Sequence, residues 1–277
     1  MAASGTAARK DGKDMDFAFR LHTLNRRWFN NTLLRRRNFD GHIVSMNQSG
    51  SHWIKNMLAD VLAQRYNLPP LKHVQDDSII GHPKSRPLYK NIPCLVHSHG
   101  FPHALTLALP FLHYPKYLVL ARDMRDSLIS HYARFKGDYG GATFTEFLQC
   151  KLGDKRMHSD IWSRMRFMNE WGRLIDRHPE AIAVLSYEDM QADAAGSLRK
   201  AVAFFKLEGI TEAMVSRAVE NATPEKMAQK PNPNVPTVVI RTGVKKPREE
   251  YFTPENQKYF EDICRRNLTH DFGYGYF

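Results

Sequence analysis

The stretch SMNQSGSHWIKNML, residues 45–58, overlaps the end of the apolar-rich run 42–46. A short apolar strand, a polar loop with a glycine, and then a helix is the unit from which phosphate cradles are built. Gly50 lets the backbone come close to a ligand, and the helix behind it presents free N–H groups and a positive dipole end. Ser49, Ser51 and His52 add side-chain donors. The nucleoside-triphosphate pattern G-x-x-x-x-G-K-[ST] is absent, and Gln48 stands where such loops commonly carry a lysine. A plain strand–turn–helix connection would read the same way, so the surrounding chain has to decide.

Outward from this stretch, short apolar runs alternate with longer helical segments. Strands are predicted at 42–46, 94–97, 117–121 and 182–186, and helices at 51–66, 125–135, 144–151, 160–177, 194–206, 211–221 and 254–268. Such alternation predicts a single α/β domain whose central parallel sheet is flanked by helices. The prolines of QKPNPNVP, residues 229–236, forbid helix or central strand and mark an internal loop. We read residues 1–16 as a disordered tail, 17–40 as a basic amphipathic helix, and 41–277 as the domain proper. That helix either packs its apolar stripe (Phe17, Leu21, Leu24, Trp28) on the domain or lies on a membrane surface.

The chain has 277 residues and a formal net charge of +11, which favours an anionic ligand or surface. No nucleic-acid module is legible, so charge alone supports that partner last. Cys94, Cys150 and Cys264 are odd in number and far apart, which argues against a disulfide framework or a zinc site. The N-terminus has no hydrophobic signal core and no run reaches the length of a membrane span. These features predict a cytoplasmic protein with at most peripheral membrane contact.

A second motif, YLVLARDMRDSLISHYARF (residues 117–135), ends a strand on Arg122 and opens a helix with Asp123 as N-cap. Asp126 has the spacing of a capping partner, and Ser130 lies one turn further on the same face. An arginine at the carboxyl edge of a sheet with a hydroxyl nearby suits a phosphate. The competing reading is an Arg122–Asp126 ion pair.

Together the two segments resemble the cofactor signatures of the cytosolic-type sulfotransferases, which use 3′-phosphoadenosine 5′-phosphosulfate (PAPS). The family loop P-K-S-G-T-T-W, which binds the 5′-phosphosulfate, is matched by Asn47, Gln48, Ser49, Gly50, Ser51, His52 and Trp53. The family's R-x-P-x-D-x-x-x-S, which grips the 3′-phosphate, is matched by Arg122, Met124 in place of proline, Asp126 and Ser130. VLSYEDM (184–190) is similar to the segment whose tyrosine, here Tyr187, holds the adenine. IRTG (240–243) is similar to the late R-K-G element, giving Arg241, Thr242 and Gly243 as 3′-phosphate contacts, and YFTPEN (251–256) follows it in order. The resemblance covers residues 42–275 and implies a P-loop nucleotide-binding-like architecture.

Physically, Trp53 and Tyr187 are suited to sandwich a purine, and Arg122 and Arg241 to pair with a phosphate dianion. The resemblance implies a histidine base after a strand. LVHSHGFPH (95–103) offers His99, and His97 on the same side by the period of two; we favour His99, with His97 orienting. Gln48 is the main departure, since an amide donates a hydrogen bond without a charge. Lys55, one turn along the helix, reads better as a solvated lysine than as its substitute. Pro224 replaces an expected aromatic, and Lys246 interrupts the family's late glycine pattern.

The resemblance thus implies transfer of a sulfuryl group from PAPS, without a metal, to a hydroxyl or amine of a small acceptor. The product is 3′-phosphoadenosine 5′-phosphate (PAP). Two alternatives stay open: a catalytically weakened fold that binds the nucleotide without efficient turnover, and a P-loop small-molecule kinase. The latter lacks a Walker lysine and a clear magnesium-binding aspartate. Acceptor loops would be 68–91, 136–145 and 229–242, and the apolar stretch 101–114 suits an amphiphilic, lipid-like acceptor.

Overall fold

The computed structural model describes residues 17, 39–83, 86–101, 116–151, 159–232 and 247–277. The predicted tail, most of the basic helix, and the Arg241–Thr242–Gly243 element lie outside the described residues. Four parallel strands, β1 (Gly41–Ser45), β2 (Leu95–Ser98), β3 (Lys116–Ala121) and β4 (Ile182–Ser186), form one sheet in the order β2-β1-β3-β4. Each falls within a residue or two of its predicted position.

The side chains of consecutive strand residues enter opposite cores, as the two-residue period of a strand requires. Ile43, Leu95, Leu118, Leu120 and Leu185 join one apolar cluster, with α1 (Ser51–Arg65) and, further along the chain, α6 (Ala194–Phe205) and α7 (Glu212–Asn221). Val44, Tyr117 and Val119 join the other, with α2 (Met124–Phe135), α4 (Ile161–Arg177) and α9 (Pro254–Asn267). Both sheet faces are therefore covered, which explains why the strands read as nearly continuous apolar runs.

Helix ends follow local chemistry. Asp123, Asp160, Ser186, Asp193, Thr211, Thr223 and Thr253 each accept a backbone N–H with the side chain at an N-terminus. Helix α3 (Phe144–Leu148) has a full capping box between Thr143 and Glu146 but is three residues shorter than predicted. Cys150 takes a left-handed φ of 54°, which the helix cannot continue through. The short helices α5 (Tyr187–Ala192) and α8 (Pro224–Ala228) were not anticipated as separate elements.

Since β1 pairs with β2 on one side and β3 on the other, the strand order reverses at β1. In open α/β sheets the ligand crevice lies beside the carboxyl ends of the strands at that reversal. Here those ends lead into residues 46–50 after β1 and Arg122–Asp123 after β3.

Candidate active site

The loop after β1 turns three consecutive carbonyls into the protein. Met46 O accepts from the Ser49 N–H at 3.2 Å and from Ser49 Oγ at 2.6 Å; Asn47 O accepts from Ser127 Oγ at 2.7 Å; Gln48 O accepts from Arg122 Nη1 at 2.8 Å. Gln48 at φ 63° and Gly50 at φ 78° are both left-handed, which folds the chain tightly enough to allow this. Among the described residues, the N–H groups of Gln48, Gly50, Ser51 and His52 have no acceptor, so they are available to an anion at the start of α1.

Gly50 is also required by its neighbour. A Cβ there would lie 2.7 Å from Tyr187 Cδ2, so the loop packs directly on the ring that opens α5. The Arg122 guanidinium lies 4.2 Å over the same ring. Arg122 is only 5% exposed, and its Nε is buried without a partner among the described residues. An orphaned guanidinium N–H at the sheet's carboxyl edge fits a bound phosphate oxygen.

Several expectations change here. The Arg122–Asp126 pair does not form: Arg122 holds the Gln48 carbonyl, and Asp126 pairs with Arg248 at 2.9 Å. Asp126 does not complete a capping box either, because the Asp123 N–H donates to Glu188 Oε1. Ser49 is fully buried and its hydroxyl closes the loop, so it is not a side-chain donor to a ligand. Trp53 meets Tyr187 edge-on, with ring planes at 63° and centroids 6.4 Å apart, rather than as parallel faces. Ser130 is half-buried on α2, and among the described residues its hydroxyl has no hydrogen-bond partner. Lys55, expected in solvent, is 2% exposed and paired with Asp77.

The two candidate bases converge on one hydroxyl. Ser45 Oγ lies 3.0 Å from His97 Nε2 and 2.9 Å from His99 Nδ1, and His99 Nδ1 also lies 2.9 Å from the Ser45 carbonyl. A carbonyl only accepts, so His99 carries its proton on Nδ1 and keeps the lone pair on Nε2. Burial pushes the pKa of His99 below the ordinary histidine range, opposed by the bond to the Ser45 carbonyl. His99 is nonetheless accessible to solvent, and it borders a cavity of about 160 Å³ shared with Ser45, Met46, Asn47, Phe101, Ser163, Arg164 and Phe167. Burial, reinforced by His99 and Lys55, pushes His97 further down. His52 falls to about 4 through burial and then the Lys55 charge. At neutral pH all three imidazoles are uncharged, and none of them replaces the positive charge missing at Gln48.

The sequence reading missed Ser45, Ser127, Ser159 and Arg164. Arg164 alone carried a signal: it stands on the apolar stripe of α4, three residues after Ile161 and four before Met168.

Comparison with known proteins bears on the family and the fold. A family model described as the sulfotransferase domain matches residues 40–272. A search of curated proteins finds no match. Among solved structures, mouse sulfotransferase SULT7A1 complexed with PAP is similar at 16% identity with a TM-score of 0.59, over 88% of this chain and 89% of that one. Retinol dehydratase in complex with retinol and PAP is similar at 18% identity and a TM-score of 0.55, over 92% and 88%. Its complex with androsterone and inactive cofactor PAP gives 17% and 0.53, over 91% and 88%. These likenesses bear on the fold, while the family match spans most of the sequence. The chain belongs to the sulfotransferase domain family.

Proposed function

We propose that this sulfotransferase takes its sulfuryl group from PAPS and passes it to a hydroxyl or amine of a small acceptor, with His99 as general base. The observation that carries the reading is the meeting of four free N–H groups with the orphaned Arg122 Nε beside Tyr187. The N–H groups of Gln48, Gly50, Ser51 and His52 would hold the 5′ end of the nucleotide and Arg122 the 3′-phosphate, with Tyr187 and Trp53 against the adenine. Arg241, Thr242, Gly243 and Ser130 belong to the same proposal as 3′-phosphate contacts.

The donor supplies an activated sulfuryl group. The acceptor's O–H or N–H proton goes to His99 Nε2 as the new bond to sulfur forms. The S–O bond to the 5′-phosphate breaks, and its electron pair stays on the phosphate oxygen. Ser45 fixes the imidazole tautomer that makes Nε2 the base. Phe101 and Phe167 beside His99 favour an acceptor with an apolar body, and the androsterone and retinol held by the structural relatives support a small one. Calorimetry with PAP tests the reading: the chain binds it with micromolar or tighter affinity, and no binding overturns the proposal.

The uncharged Gln48 and His97 favour a second reading, nucleotide binding with little turnover. Sulfate-donor turnover in wild type and Gln48→Lys separates the two; tight PAP binding with no turnover in either supports the second. Cytoplasmic placement with membrane contact through residues 17–40 is also proposed. Among the described residues no helix is long and apolar enough to cross a membrane. Unchanged liposome association after deletion of residues 1–37 would remove that contact.

A further inference from the structure

Behind the loop lies a cation that the family signatures do not include. Arg164 is 1% exposed, and among the described residues every hydrogen bond it makes goes to a neutral oxygen. Its Nε donates to Ser127 Oγ at 2.8 Å, Nη2 to Ser127 O at 3.2 Å, and Nη1 to Ser159 O and to Asp160 O, the latter at 3.1 Å. The Asp160 carboxylate acts on Arg164 through space, but it caps α4 by accepting the Ser163 N–H. Burial lowers the guanidinium pKa to about 10, which leaves it charged at neutral pH. A buried charge without a hydrogen-bonded counter-ion is costly unless an anion is brought near it.

The bonds run from Arg164 to the cradle by two routes. Ser127 Oγ accepts the Arg164 N–H and donates its own O–H to Asn47 O at 2.7 Å, and Asn47 Nδ2 donates to Ser159 Oγ. The Asn47 carbonyl belongs to the same peptide as the Gln48 N–H, one of the four free donors. Hydrogen bonding at the carbonyl end of a peptide polarises its N–H, and the chain of bonds from a cation strengthens this.

We propose that Arg164 is the positioning residue that supplies, through Ser127 and the Asn47–Gln48 peptide, the positive potential that Gln48 cannot. The inference rests on the proposed nucleotide site and assigns Arg164 to the 5′-phosphate end. Arg122 serves the other phosphate directly, and its charge also reaches Arg164 through space. Ser127 and Arg164 are thus parts of the anion site, although neither has to touch the ligand.

The test compares two ligands by calorimetry, PAP and adenosine 3′-monophosphate, which lacks the 5′-phosphate. Arg164→Met weakens PAP binding about tenfold or more and leaves adenosine 3′-monophosphate within twofold of wild type. Ser127→Ala keeps the guanidinium in place and breaks only the relay, so it serves if Arg164→Met does not fold; it weakens PAP alone, about threefold. Gln48→Lys added to either variant restores PAP binding, which repair of a merely structural defect would not do. Equal losses for both ligands, or no loss in Ser127→Ala, overturn the inference while leaving the nucleotide site standing. A wild-type chain that binds neither ligand overturns the site itself and the inference with it.

Discussion

Arg122 lies 4.2 Å over the ring of Tyr187 and donates from Nη1 to the Gln48 carbonyl at 2.8 Å. One side chain therefore joins the loop after β1, the end of β3 and the start of α5. Arg122→Met keeps the apolar stem but removes the cation–π contact, worth about 0.5–2 kcal/mol, and a charged hydrogen bond, worth about 1.5–3 kcal/mol. PAP affinity in that variant, measured by calorimetry, should fall at least tenfold.

Gly50→Ala places a Cβ 2.7 Å from Tyr187 at a φ of 78°. The left-handed backbone costs a non-glycine residue about 1–2 kcal/mol, and the ring has to shift besides. Urea denaturation should show a loss of that order. PAP binding should fall even where the variant remains folded, because the shifted ring is the one expected at the adenine.

Replacing His99 with Gln should cut turnover by roughly 10²–10⁴-fold, the usual contribution of a positioned base, while PAP affinity stays within a few-fold. His97→Gln removes an orienting partner of Ser45 and should cost far less. Because the His99 pKa is lowered, the neutral base persists below pH 6.5. The acidic limb of the wild-type kcat profile should accordingly fall below that pH. An equal loss in the two variants would contradict the assignment.

Stability should decline in acid. Burial lowers His42 to about 4 and His131 to about 3, against 6.5 when unfolded. Between those values and 6.5 the unfolded chain binds more protons than the folded one. The contribution is thus complete above about pH 6.5 and is lost as pH falls towards the folded values. His42 stacks on Tyr117, His131 stacks on Phe147, and the Nδ1 of each is buried without a partner among the described residues. His131→Phe should consequently flatten urea stability between pH 7 and 4.5.

The strands were legible as short, nearly continuous apolar runs because both sheet faces are covered, and the long helices because their apolar residues recur at the helical period. Tyr187–Ala192 was not, since six residues are too few to show a helical period; its start is set by Ser186 accepting the Asp189 N–H. Motif order singled out Gln48, Gly50, Arg122 and Tyr187, and the structure gathers them around one edge of the sheet. Lys55 was misread because its partner Asp77 lies 22 residues away, where no helix-face rule connects them. Ser127 and Arg164, 37 residues apart, were missed for the same reason. Ion pairs and buried relays of this kind are properties of the packed chain, and local spacing does not encode them.

The three inward-turned carbonyls of Met46, Asn47 and Gln48 have a kinetic consequence. With each oxygen already held, the loop has little conformational freedom left to lose when an anion arrives, so the ordering cost falls on folding. Association at this loop should behave as the docking of rigid surfaces, its rate governed by diffusion and long-range charge, and should fall with ionic strength.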